Sequence, residues 1–113
     1  MVSEHTEKIE GQLVTFKPFT KDLQNFPYAT CGYDGDGIFV LYQKIDMESF
    51  PSWNDFKGYK TRVKPGVTGI LLSRVGVPIN FQLFQKKRPD LDLCVYTVLL
   101  NGHRVQVFGI DLA

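Results

Sequence analysis

Hydrophobic and polar positions along this chain alternate in short runs broken by turn residues, and nowhere hold a helical period for long. The runs Val95-Tyr96-Thr97-Val98-Leu99-Leu100 and Val105-Gln106-Val107-Phe108 stand close on either side of Asn101-Gly102. Asn-Gly between two such runs predicts a two-residue β-hairpin, because both turn positions must tolerate positive φ. Thr68 to Val75 reads as a further strand. After the turn at Gly76-Val77-Pro78, the run Ile79-Asn80-Phe81-Gln82-Leu83-Phe84 alternates and predicts another, with Ile79, Phe81 and Leu83 on one face. Upstream, Gly11 to Lys17 carries Gln12, Val14 and Phe16 on one side and predicts a strand ended by Pro18. Ile38 to Ile45 is a near-continuous apolar run, as in a strand buried on both faces. Alternation places Val14, Phe16, Phe39, Leu41, Ile70, Leu72, Phe81, Val98, Leu100 and Val107 in the core.

Short strands with turn signals about every 8–12 residues predict an all-β fold, a sandwich or a barrel. A closed sheet removes the unpaired edges that a chain of 113 residues has little helix to cover. Residues 1–10 are polar and are expected to be a flexible amino-terminal segment, with residues 11–113 forming a single β-barrel domain. The spacing Gly66-x-x-Gly69-Ile70-Leu71-Leu72, then Tyr96-x-Val98-Leu99-Leu100-Asn101-Gly102, then Val105-x-Val107 and a final Asp111-Leu112 resembles small Src-homology-3-like (SH3-like) and KOW-type barrels. Several short accessory proteins of tailed bacteriophages look like this, opening on a Gly-x-Leu-Val-x-Phe strand that Gly11 to Phe16 would supply. The resemblance covers about half the chain and implies an elaborated SH3-like barrel, because Pro18 to Tyr59 is a long first loop region with a strand of its own.

Composition narrows the function classes. A hydrophobic content of 43% and a charged content of 22% are those of a folded chain. Thirteen basic side chains against 12 acidic ones leave a net charge of +1, without the basic surplus of a dedicated duplex-DNA binder. No apolar run reaches the roughly 18 residues of a membrane span, and the start, Met-Val-Ser-Glu-His-Thr-Glu-Lys, has no signal-peptide core. A cytoplasmic protein is expected, in the host cytoplasm if phage-encoded. Cys31 and Cys94 carry no motif spacing; they read as two free thiols, with a single disulfide as the alternative.

Little of the chain points to chemistry. Asp34 and Asp36 alternate with glycines between Gly32 and Gly37, but no downstream ligands complete a calcium loop, so a tight turn is the expectation. His5 and His103 have no neighbour at metal-ligand spacing, and no nucleophile motif is present. Asp34, Asp36, Asp90 and Asp92 act as acid and base only if the fold gathers distant loops. No catalytic residue, metal or cofactor is therefore assigned.

Two surface features carry the functional expectations. Phe50, Trp53, Phe56 and Tyr59 put four aromatics in ten residues of a predicted loop. They either cover one mouth of the barrel or, if exposed, form a hot spot for a protein partner or a stacking platform for single-stranded nucleic acid. Lys86-Lys87-Arg88 in a predicted charged loop is either a solvated connection or a phosphate contact. The first reading is a non-enzymatic interaction module that binds a larger protein through the aromatic loop. The alternative is a KOW-type nucleic-acid-binding barrel that uses Lys86, Lys87 and Arg88 for phosphates.

Overall fold

The computed structural model describes residues 8–16, 39–48 and 56–112, with the backbone alone at 39–40 and 56–60. Its strands are β1 (Leu13–Thr15), β2 (Phe39–Ile45), β3 (Phe56–Val63), β4 (Thr68–Gly76), β5 (Val95–Leu100) and β6 (His103–Phe108). They form one antiparallel sheet in the order β1-β4-β5-β6-β2-β3, so the fold is all-β. One 3-10 turn (Ile79–Phe81) and one short helix, α1 (Gln82–Lys87), lie between β4 and β5, and a second 3-10 turn (Gly109–Asp111) follows β6. Among the described residues no helix is long and apolar enough to cross a membrane.

The β5–β6 hairpin forms as the Asn-Gly signal predicts. Leu100 pairs with His103 across the turn, and Asn101 and Gly102 adopt φ of 49° and 82°. From this hairpin the pairing register passes the inward phase to its neighbours, because residues directly opposite in an antiparallel pair share a face. Val98 faces inward opposite Val105 and Leu71, and on β4 the inward positions are Gly69 and Leu71, with Gly69 opposite Val14 of β1. The predicted core positions Ile70 and Leu72 are therefore corrected. Ile70 lies on the outer face, 40% exposed and opposite Leu13, and Leu72 is only partly buried. β4 holds two extra residues relative to β5, Leu72 and Val75, and these bulges bend the strand. On β2, Leu41 and Ile45 are buried and Tyr42 packs against the core, while the polar step Gln43-Lys44 is exposed; the side chains of Phe39 and Val40 lie outside what is described.

The sheet curls because the chain compels it. β3 is an edge strand and β4 lies second from the opposite edge, yet only Lys64 to Val67 joins them. Four strand spacings in a flat sheet span about 19 Å, whereas five fully extended residue steps reach only about 17 Å. The connection is far from extended: Lys64-Pro65-Gly66-Val67 closes a turn, with Val67 N donating to Lys64 O at 3.3 Å and Gly66 at φ 91°. That turn also docks on the end of β1, since Gly66 N donates to Phe16 O at 2.8 Å and Phe16 N to Val67 O at 3.0 Å. Phe16 bridges to Leu112 as well. Among the described residues no ladder joins β1 to β3, so the curled sheet is not closed by hydrogen bonds. Its concave side holds the core, which includes Val14, Phe16, Leu41, Leu71, Tyr96, Val98, Val105, Val107 and Phe108. The predicted core side chain of Phe39 lies outside what is described.

Candidate functional site

The predicted strand from Ile79 to Phe84 is instead helical. β4 is already paired with β1 and β5, and β5 with β4 and β6, so no ladder is open to receive another strand here. Pro78 precedes the 3-10 turn, Ile79 N donates to Met47 O at 3.0 Å, and Gln82, Gln85, Lys86 and Lys87 are good helix formers. Two side chains fasten the segment from beneath. Phe81 is buried against Phe108, with ring centroids 5.9 Å apart. Gln85 accepts from Leu93 N at 2.9 Å through its Oε1 and donates through its Nε2 to Leu91 O and to Arg88 O.

That attachment decides what faces outward. Ile79 is 58% exposed, Leu83 67% and Phe84 37%. Ile79 and Leu83 lie one helical turn apart, and Lys86 and Lys87 follow Leu83 by three and four residues, so they continue the same stripe. Both lysines are exposed. The expected charged loop is thus corrected: Lys86 and Lys87 sit on α1, and Arg88 caps its carboxyl end. The Arg88 guanidinium grips Asp90 bidentately, Nε to Oδ1 at 3.0 Å and Nη2 to Oδ2 at 2.9 Å. Hydrogen bonding from Arg88 holds the Asp90 carboxyl below its ordinary pKa.

The other predicted anchors sit elsewhere. Phe50 and Trp53 lie outside the described residues. Phe56 and Tyr59 belong to β3 and not to the loop expected of them, with the backbone alone described there. An alternating pattern is what hid Ile79, Leu83 and Phe84: within six residues it satisfies a strand period as well as the helical one. The signal for a helix was the group of helix formers Gln82, Gln85, Lys86 and Lys87 downstream of Pro78.

Of the aspartates considered for acid–base work, Asp90 is paired with Arg88 and Asp92 is buried. Asp34 and Asp36 lie outside the described residues. Asp92 is buried and accepts from Lys8 Nζ at 2.9 Å, from Tyr96 OH at 3.2 Å and from Cys94 N at 3.1 Å. Lys8 also lies over the Tyr96 ring, 5.7 Å from its centroid, so this lysine of the polar amino-terminal segment is fastened to the sheet. Gly109 makes room for the cluster: a Cβ there would stand 2.1 Å from Asp92 Oδ2. Cys94 carries a buried free thiol. Among the described residues no three His, Cys, Asp or Glu side chains gather as metal ligands.

Comparison with known protein families, with characterised proteins and with solved structures finds no match to this chain.

Proposed function

We propose that this chain is a non-enzymatic interaction module that binds a larger protein through the stripe Ile79, Leu83 and Phe84, flanked by Lys86 and Lys87. The observation that carries this reading is the exposure of three large apolar side chains on one short element that Phe81 and Gln85 pin to the sheet. Scattered exposed apolar residues are ordinary, but here they share one rigid segment and end in two cations. The complementary surface is an apolar side chain beside aspartates or glutamates. Burying each of the three would contribute about 1.5–3 kcal/mol at most, while the lysines steer the encounter. In this reading the aromatic run Phe50, Trp53, Phe56 and Tyr59 supplies a second anchor. The setting we propose is that of a phage-type accessory factor, which the resemblance supports.

The test compares the wild type with Ile79→Glu/Leu83→Glu as baits in nuclease-treated extract of the source cell. Both positions are exposed, so the double variant should keep its stability to within about 1 kcal/mol, roughly 0.5 kcal/mol for each surface change. A protein retained by the wild type and bound about 30-fold more weakly by the variant supports the stripe. Trp53→Ala tests the second anchor separately. Identical protein retention by the wild type and the stripe variant would refute the assignment.

A further inference from the structure

The helical stripe carries opposite charge at its two ends. Lys86 and Lys87, both exposed, stand at the carboxyl end of α1. At the other end, Ile79 N donates to Met47 O at 3.0 Å, which seats the turn Asp46-Met47-Glu48 against the start of the segment. Met47 also reaches Gly76, where an added Cβ would stand 4.0 Å from its Cε, so the turn is placed at two points. Glu48 is exposed, and its amide donates to Asp46 Oδ1 at 3.0 Å, an Asx turn that fixes the local backbone. Along the element, an acidic end is thus followed by Ile79 at 58% and Leu83 at 67% exposure, and then by two cations. The Arg88–Asp90 ion pair beyond them adds no net charge. A surface laid out this way is its own complement. The half from Leu83 to Lys87 calls for an apolar side chain next to a carboxylate, and Ile79 with the Glu48 turn supplies both.

We propose, resting on the stripe being an interaction surface, that a second copy of this chain covers it until the larger protein binds. The two copies pair antiparallel about a two-fold axis near Leu83. Leu83 is midway between Ile79 and Lys87, a span of about 13 Å from the rise of one 3-10 turn and one short helix. With the axis there, Leu83 meets the partner subunit's Leu83, and Ile79 lies along the aliphatic stem of the partner's Lys87. Glu48 then faces the ammonium groups at that end, and the symmetry repeats the same contact on the other side. A parallel pairing is disfavoured, because it sets lysines against lysines. The covered patch is small. Interfaces under about 1,200 Å² are weak and transient, so the pair exchanges readily and the larger protein displaces the copy by competing for the same residues.

The experiment is sedimentation velocity of the full chain from about 10 µM to about 1 mM, with amide shifts followed by NMR over the same dilution. The expected result is a monomer–dimer equilibrium with a Kd of about 10–500 µM, and dilution shifts confined to residues 46–48 and 79–88. Glu48→Lys alone and Lys86→Glu/Lys87→Glu alone should each weaken self-association about tenfold or more, since like charges then face each other at both contacts. An equimolar mixture of the two variants should restore pairing to within about threefold of the wild type, because each contact again sets opposite charges together. All three positions are exposed, and the wild-type dilution map stands whether or not either variant folds. A chain that stays monomeric at the highest concentration, shifts that map elsewhere, or a mixture no tighter than either variant overturns the self-pairing. A monomeric chain whose stripe variant still loses the larger protein refutes the copy as occupant and leaves the stripe standing. A dimer formed through these residues without retention of any larger protein does the reverse.

Discussion

A carboxylate as buried as Asp92, 3% exposed, depends on its partners, and the residues around it are chosen for that one acceptor. Lys8 supplies charge, Tyr96 a hydroxyl, Cys94 a backbone N–H, and Gly109 the space. Gly109→Ala should therefore cost about 1–3 kcal/mol, because its Cβ would drive into the carboxylate and displace Lys8 or Tyr96. A urea midpoint equal to the wild type's would contradict this account of the cluster. The same neighbourhood sets a pH dependence. Burial raises the Cys94 thiol above its ordinary 9.0, and burial together with the Asp92 charge raises the Tyr96 hydroxyl above its ordinary 10.0. The folded state thus holds protons that the unfolded state releases first. The contribution is whole below the unfolded values and is lost as pH rises through 9.0 and beyond. Urea midpoints should stay level near neutral pH and fall above about pH 9, less steeply in Tyr96→Phe, which cannot ionise there. A profile flat into the alkaline range would count against the buried cluster.

Single elements show where sequence reasoning reaches and where it stops. The β5–β6 hairpin was legible because Asn101-Gly102 encodes its own backbone conformation locally. The phase of β4 was not, since Ile70-Leu71-Leu72 offers three apolar side chains in a row and the choice falls to the register with Val14 and Val98. The helical segment satisfies a strand period within its own six residues, and what decides against a strand is that the ladders it would need are occupied by β1, β5 and β6. The exposed stripe was hidden by the same ambiguity, although Lys86 and Lys87 were recognised as surface. What holds this element is Gln85, so Gln85→Met should cost about 1–3 kcal/mol by leaving Leu93 N without its acceptor. Lys86→Met, one residue on and exposed, should stay within about 0.5 kcal/mol. Hydrogen exchange reads the same difference locally, with the Leu93 amide exchanging faster in Gln85→Met alone. Equal melting temperatures for the two variants would mean that Phe81 fastens α1 unaided.

At the scale of the molecule, the curl turns a list of strands into an object with a concave core. All-β character was legible from strand and turn vocabulary, but the strand order was not. The β3–β4 connection is short and would pass for an ordinary hairpin; only the register shows that it joins strands placed near opposite edges of the sheet. Phe16 is where this global arrangement is secured. Its ring is fully buried, its carbonyl and N–H hold the Lys64–Val67 turn, and it bridges to Leu112 near the other end of the chain. Leu83, also a large apolar residue in an alternating run, stands 67% exposed on α1. Phe16→Ala should accordingly cost about 3–5 kcal/mol through lost burial and a residual cavity, while Leu83→Ala should cost less than about 0.5 kcal/mol. The fold adds a sharper expectation: because the turn rests on residue 16, the Gly66 amide should exchange markedly faster in Phe16→Ala even under conditions where β5 and β6 remain protected. If Gly66 keeps its protection in that variant, the β3–β4 turn is held by its own Pro65-Gly66 geometry and the curl does not depend on Phe16.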